Sequence, residues 1–310
     1  MKKYIRIMRL DHWIKQLFIL PGFLCAFVLV DRLVVYEEAI NNLVVGFLAT
    51  CFIASANYVI NEWLDAEFDK YHPTKKHRSV VEEGADKRIV YALYIGLAVI
   101  GIGLASTISR IFCLMEVWLW VMGILYNVKP IRTKDIPFLD VLSESVNNAI
   151  RLLIGWFIVT SEYQPPISLV IGYWFAGAFL MATKRFSEYR MINNPELAGK
   201  YRRSFKYYTQ NSLLLSSFLY AMISTFFIGI FLIKYRVELI LFMPLLMGLF
   251  CYYFWISFKE DSAAQKPEKL YKEKGLMLYV IGLCIVFLIL MCVHIEELEQ
   301  FTSVELFRIR

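Results

Sequence analysis

Asn57, Asn61, Asp65 and Asp69 stand four residues apart, with Glu62 and Glu67 beside them. On a helix, positions i and i+4 share a face, about 5–6 Å apart at Cβ. Four such residues therefore form a stripe that drifts slowly around the helix. Carboxylates at this spacing repel each other unless a cation lies between them. Carboxylate and amide oxygens are hard donors, and the cation that suits them together with substrate phosphates is Mg2+. The stretch His72-Pro73-Thr74-Lys75-Lys76-His77-Arg78 follows at once. Pro73 ends any helix, and Lys75, Lys76 and Arg78 can hold phosphate oxygens. Carboxylates for a metal beside bases for phosphate are what diphosphate chemistry needs. The plain alternative is a solvated, salt-bridged loop; a regular spacing that begins at Asn57, within an apolar run, argues against it.

Other residues carry weaker signals. Lys129, Arg132 and Lys134 cluster after Tyr126, where Pro130 breaks a helix end. Each is either a phosphate contact or a charge that anchors the helix end. Between 139 and 160, Asp140, Glu144, Asn147 or Asn148, and Arg151 share one helical face. An ionisable group at a membrane helix centre costs about 3 kcal/mol, so it should face a cavity or a partner. Arg151 either pairs with Glu144 as a structural charge or binds phosphate and stabilises leaving pyrophosphate. Trp13 and Lys15 read as an interfacial anchor, with a lipid-phosphate contact as the alternative. His72 and His77 read as loop residues. Phe226, Phe227, Tyr252, Tyr253 and Phe254 read as packing or lipid-facing residues. The six cysteines lie in or beside apolar runs without a CxxC pair and read as buried thiols.

The elements that must position these residues are apolar. The 310-residue chain is 58% hydrophobic, with a mean hydropathy of +0.53. Soluble domains lie near 45–50% apolar. Nine runs approach the length of a membrane-spanning helix: 13–30, 39–62, 88–107, 111–126, 139–160, 167–185, 211–232, 238–257 and 275–295. The expected fold is all-α and polytopic, nine transmembrane helices in one domain over 1–310. The short alternating segments of a barrel are absent. The first apolar run lacks a small-residue cleavage site and reads as a span, not a leader. Most of the 33 Lys and Arg fall in segments on the N-terminal side of the membrane. Arg32, Arg110, Lys234, Arg236, Arg308 and Arg310 fall on the other side, and Arg151 within a span. A cytoplasmic N-terminus follows, with the acidic stripe on the same side. Anionic lipid and phosphorylated substrates account for the net charge of +6 without nucleic acid.

The stretch Asn61-Glu62-Trp63-Leu64-Asp65-Ala66-Glu67-Phe68-Asp69 resembles the N-D-x-x-D-x-x-x-D signature of the UbiA superfamily of intramembrane prenyltransferases. Asn61, Asp65 and Asp69 match, and Glu62 replaces an Asp. The basic tail through Arg78 is similar as well, with Ser79 where a Pro is common. The resemblance implies a helical bundle around a central cavity. Mg2+ would hold a pyrophosphate at its cytoplasmic mouth, and a side opening would admit a lipid chain. Many members carry a second Asp-rich motif after helix six. Here that stretch reads Lys184-Arg185-Phe186-Ser187-Glu188 and resembles the K-R-x-x-E of the phosphoribosyltransferase branch. The segments Met8–Gly22 and Tyr201–Leu213 are similar to that branch too, with Asp11 in place of a Pro; Tyr126–Asp135 departs from it. The resemblance implies transfer of 5-phosphoribose from phosphoribosyl pyrophosphate to a polyprenyl phosphate. Asn61, Glu62, Asp65 and Asp69 would be metal ligands, and Asp65, Asp69 and Arg151 catalytic. Asn57, Lys15, Lys75, Arg78, Tyr126, Lys129, Arg132, Lys184, Arg185 and Glu188 would contact substrate. Two rivals remain: a prenyltransferase alkylating an aromatic or other acceptor with a prenyl diphosphate, and a non-catalytic membrane transporter. The oligomeric state is not legible.

Overall fold

Without water to satisfy backbone N–H and C=O groups, apolar segments of this length close their hydrogen bonds internally as helices. The computed structural model describes residues 2–30, 36–71, 75–77, 80–81, 84–259, 262, 264, 270 and 272–298, and no strand occurs among them. The first span is broken: α1 (Lys2–Ile7), a 3-10 segment (Leu10–Ile19) and α2 (Leu20–Leu29). Arg9, in the left-handed region at φ 50°, separates the first two pieces. Pro21 falls in the first turn of α2, where its missing N–H needs no partner.

The remaining spans are α3 (Tyr36–Asp69), α4 (Lys87–Ala105), α5 (Arg110–Asn127), α6 (Leu139–Val159) and α7 (Ile167–Ile192). After a short α8 (Pro195–Tyr201) come α9 (Gln210–Tyr235), a 3-10 entry (Val237–Phe242) into α10 (Met243–Ile256), and α11 (Lys274–Cys292). Eight of these segments are long and apolar enough to cross a membrane. The ninth, α6, carries Asp140, Glu144 and Arg151, yet its 21 residues still extend about 31 Å. The nine-span expectation and the observed helices therefore agree. Two helices outrun their expected ends. The 34 residues of α3 make about 51 Å, against a hydrocarbon core of about 30 Å. Its polar last turns carry the Asn57–Asp69 stripe out of the apolar layer, so hydropathy alone ends it too early. The same holds for α7, which runs on past 185 through Glu188.

Close helix crossings fix the bundle. A Cβ on Gly155 of α6 would meet the Ile19 carbonyl oxygen, and one on Gly22 of α2 the Leu152 carbonyl oxygen. Only hydrogens in these places let α2 and α6 approach so closely. Ile53, Val59, Leu97, Phe112, Leu119 and Ile154 form a core among α3–α6. Phe179, Tyr220, Phe250, Tyr253 and Ile256 form a second among α7, α9 and α10. α6 contributes to both, through Ile154 and Val141. Exposed Ile95 and Val99 on α4, and Leu278, Ile285 and Leu288 on α11, face outward as lipid-side residues should.

Candidate active site

The C-terminal turns of α3, α5 and α7 and the N-terminal half of α6 surround a cavity of about 680 Å3, together with the Arg6–Phe18 segment. The α3 stripe forms one wall. Asn57 Nδ2 donates to the Leu119 carbonyl at 2.9 Å; its buried Oδ1 has no hydrogen-bond partner among the described residues. Gly123 leaves room for that amide, since a Cβ there would overlap Asn57. Asn61 Nδ2 donates to Asn127 Oδ1, and Asn127 is itself held by donating to the Gly123 carbonyl at 2.8 Å. Asp65 Oδ1 accepts from Lys134 Nζ and from Arg132 Nη2, the latter at 3.0 Å. Glu62 Oε2 accepts from Arg9 Nε at 3.1 Å and Nη2 at 3.0 Å. Asp69 is 2% exposed and also lines the cavity.

The loop after α5 supplies the bases. Arg132, also in the left-handed region, stacks its guanidinium 4.8 Å from the Phe68 ring centre and reaches Asp135 at 3.3 Å. Lys134 Nζ also donates to Asn127 Oδ1 at 2.8 Å. Burial pulls the Lys134 ammonium down to about 8, against the upward pull of Asp65. Lys129 is exposed and does not line the cavity. The loop folds back so that Arg132 and Lys134, not the base at the helix end, turn inward.

A second network closes the α6–α7 side. Arg185, 1% exposed, bonds Glu144 Oε2 through Nη2 and Glu188 Oε2 through Nη1 at 3.2 Å. Its Nε lies 3.5 Å from Asp140 Oδ2. Tyr126 donates to Glu144 at 2.7 Å. Arg202 reaches Asp140 at 3.2 Å, and Ser204 and Tyr208 donate to the same carboxylate at 3.1 and 2.6 Å. Arg185, expected as a phosphate contact, is thus enclosed by three carboxylates, and Glu188 is consumed in the same lock. Lys184, on the adjacent face, lines the cavity. The Arg151–Glu144 pair, one of the two alternatives for Arg151, does not form; Arg185 and Tyr126 occupy Glu144. Arg151 instead donates to Gln16 Oε1 at 2.8 Å and Asn148 Oδ1 at 3.2 Å. Lys15 lines the cavity with His12, its Nζ 3.3 Å from His12 Nδ1, and Trp13 donates to Ser55 at 2.9 Å. His77, expected in a plain loop, also lines the cavity. The side chain of Lys75 and all of His72 and Arg78 lie outside the described residues.

Arg9, Asn127 and Arg202 escaped the sequence reading. Arg9 sits among other N-terminal bases, Asn127 looks like a helix end, and Arg202 lies in a run of bases. Arg9 and Arg202 lie in the Met8–Gly22 and Tyr201–Leu213 segments that carry the resemblance, but nothing there singles out either base, and nothing local marks Asn127.

The donor set fits Mg2+. Every polar atom the stripe offers is oxygen or amide, and the Asn57 Oδ1 is buried without a partner. No three acidic, His or Cys side chains converge on one point among the described residues. That suits a cation that takes one or two carboxylates and completes its shell with substrate phosphates and water.

Membrane-length helices gathering carboxylates, amides and bases into one cavity define a polytopic membrane protein with a charged internal cavity. The UbiA prenyltransferase family profile matches residues 18–281, and the chain belongs to that family. It is 24% identical over 213 residues to a decaprenyl-phosphate phosphoribosyltransferase of Corynebacterium glutamicum, covering 67% of this chain and 60% of that protein. It is 27% identical over 213 residues to the protein of that name from Mycolicibacterium smegmatis, covering 67% and 63%. The match thus spans under two thirds of the length of either relative. Among solved structures, a UbiA homolog from Archaeoglobus fulgidus bound to GPP and Mg2+ superposes with a TM-score of 0.68 at 19% identity, covering 91% of this chain and 99% of that one. A digeranylgeranylglyceryl phosphate synthase gives 0.62 at 13% identity, covering 91% and 98%. These likenesses concern the fold.

Proposed function

We propose that this protein transfers 5-phosphoribose from phosphoribosyl pyrophosphate to a polyprenyl phosphate, with Mg2+ as cofactor. The single observation that carries the reading is the state of the carboxylates on the two sides of the cavity. On α3, Glu62, Asp65 and Asp69 line the cavity, Glu62 paired with Arg9 and Asp65 with Lys134 and Arg132. On α6 and α7, Glu144 and Glu188 line it too, but with buried Asp140 they share Arg185 and Arg202, which leaves little for a second metal–diphosphate clamp of the kind the aromatic prenyltransferases carry. The names of the curated relatives support the same donor and acceptor.

Asn61, Asp65 and Asp69 would hold the metal, with Glu62 and the Asn57 oxygen as further donors on the same helix. When bound, Mg2+ supplies charge neutralisation to the leaving pyrophosphate. Arg132, Lys134 and Lys184 face its oxygens, and the sequence adds Lys75 and Arg78. The bond from the anomeric carbon to pyrophosphate breaks and pyrophosphate leaves with the electron pair. A lipid phosphate oxygen forms the new bond to that carbon, so no oxidant or proton donor is required. Fixed bases around the leaving group stabilise charge as it develops. The Lys and Arg distribution supports an N-terminus and a cavity mouth in the cytoplasm, where a water-soluble donor is available, with residues 1–310 read as one domain.

Purified protein would be given radiolabelled phosphoribosyl pyrophosphate, or separately a prenyl diphosphate, with mixed polyprenyl phosphates and Mg2+. Label from the sugar donor should appear in lipid. If only the prenyl diphosphate is consumed, with an aromatic or other acceptor, the prenyltransferase reading replaces this one.

A further inference from the structure

Arg151 lies seven residues beyond Glu144, about 10 Å further along α6, and lines the cavity. Its two recorded partners, Gln16 and Asn148, are neutral amides. Among the described residues no carboxylate forms an ion pair with it. Glu116 of α5 accepts from Thr50. Beside the guanidinium, Gln16 is wholly buried with an Nε2 donor that has no partner among the described residues. Lys15 and His12 line the same cavity. A cation within a membrane span is costly unless something negative meets it. His12 lies 3.6 Å from Asp11, while Arg151 itself meets two amides and no paired carboxylate among the described residues.

We infer that Arg151, with Lys15 and Asn148, forms a subsite for a phosphomonoester, separate from the Mg–pyrophosphate site on α3. A monoester dianion matches a guanidinium and an ammonium directly, whereas a diphosphate is better served by the carboxylate stripe and its metal. Two carriers have this chemistry: the lipid phosphate, and the 5-phosphate at the far end of the sugar donor. Naming these carriers rests on the proposed phosphoribosyl transfer; the subsite itself rests on Arg151.

The decisive variant is Asn148→Asp. It is isosteric, and it puts a carboxylate where an amide oxygen now accepts from Arg151. The internal anion should keep or raise the melting temperature while excluding the ligand; Arg151→Gln removes the charge instead. Calorimetric titration of the full chain in detergent would use three probes: geranylgeranyl monophosphate, ribose 5-phosphate, and inorganic pyrophosphate with Mg2+. Both variants should weaken one monophosphate at least about tenfold, the order of one charge-assisted hydrogen bond, and leave Mg–pyrophosphate within about twofold. Loss confined to the prenyl phosphate assigns the subsite to the acceptor, and loss confined to ribose 5-phosphate assigns it to the donor. Wild-type affinity for both monophosphates in both variants overturns the inference. So does a wild type that binds neither, equal loss of all three probes, or a lowered melting temperature in Asn148→Asp. A wild type that binds a monophosphate but not Mg–pyrophosphate overturns the proposed reaction and leaves the subsite standing.

Discussion

Arg185 has three carboxylates within reach and is 1% exposed. Removing its charge leaves Asp140, Glu144 and Glu188 gathered with Arg202 alone to offset them, Asp140 and Glu188 being buried. Arg185→Gln should therefore lose about 3–5 kcal/mol of stability, read as a lowered detergent melting temperature, and adding Glu144→Gln should restore part of it. An unchanged melting temperature in the single variant would return Arg185 to the phosphate contacts. Asp65 sits in the opposite situation, at the cavity wall between two bases. Asp65→Asn should abolish turnover and the thermal stabilisation that Mg2+ with pyrophosphate gives the wild type, because a hard cation loses a charged ligand. Turnover within a few-fold of wild type would remove Asp65 from the metal site. The contrast explains what was legible. The α3 stripe can be read from spacing because its members share one helix. The Arg185 lock joins α5, α6, α7 and the segment after α8, so no local pattern announces it, and a conspicuous Lys-Arg pair looks like two phosphate contacts although Arg185, which lines the cavity beside Lys184, is held by three carboxylates.

Helix lengths and crossings decide where these residues end up. Nine apolar runs were enough to place the bundle, but their polar extensions were not: the reading stopped α3 at 62, seven residues short of Asp69. Hydropathy follows the lipid and is blind to a helix that continues into a polar cavity. The first span was read as one helix from 13, whereas a 3-10 segment runs over Leu10–Ile19 and brings Gln16 to Arg151. The α2–α6 crossing behind that contact depends on Gly22 and Gly155. Gly155→Ala drives a methyl into the Ile19 carbonyl and should cost about 1–3 kcal/mol as the helices separate. Gly103→Ala in α4 meets nothing within 4 Å and should be neutral, or stabilising by up to about 1 kcal/mol. Melting temperatures in one detergent compare the two directly; equal effects would mean that the crossing has slack.

At the scale of the whole molecule, the bundle brings a charged cavity to one end of an apolar shell. In the proposed reaction a lipid substrate would remain partly among the helices while a water-soluble donor entered from the mouth, and both reacting groups would meet fixed cations. Proximity and preorganised charge are the main catalytic means available to such a site. The most direct measurement uses phosphoribosyl pyrophosphate carrying one label in the ribose and another in the β-phosphate, incubated with purified protein, Mg2+ and a polyprenyl phosphate. Phosphoribosyl transfer predicts the ribose label in the lipid fraction and the β-phosphate label released in equal amount as pyrophosphate, with both lost in Asp65→Asn. Absence of ribose label from the lipid, under conditions where the same preparation consumes a prenyl diphosphate, would contradict it.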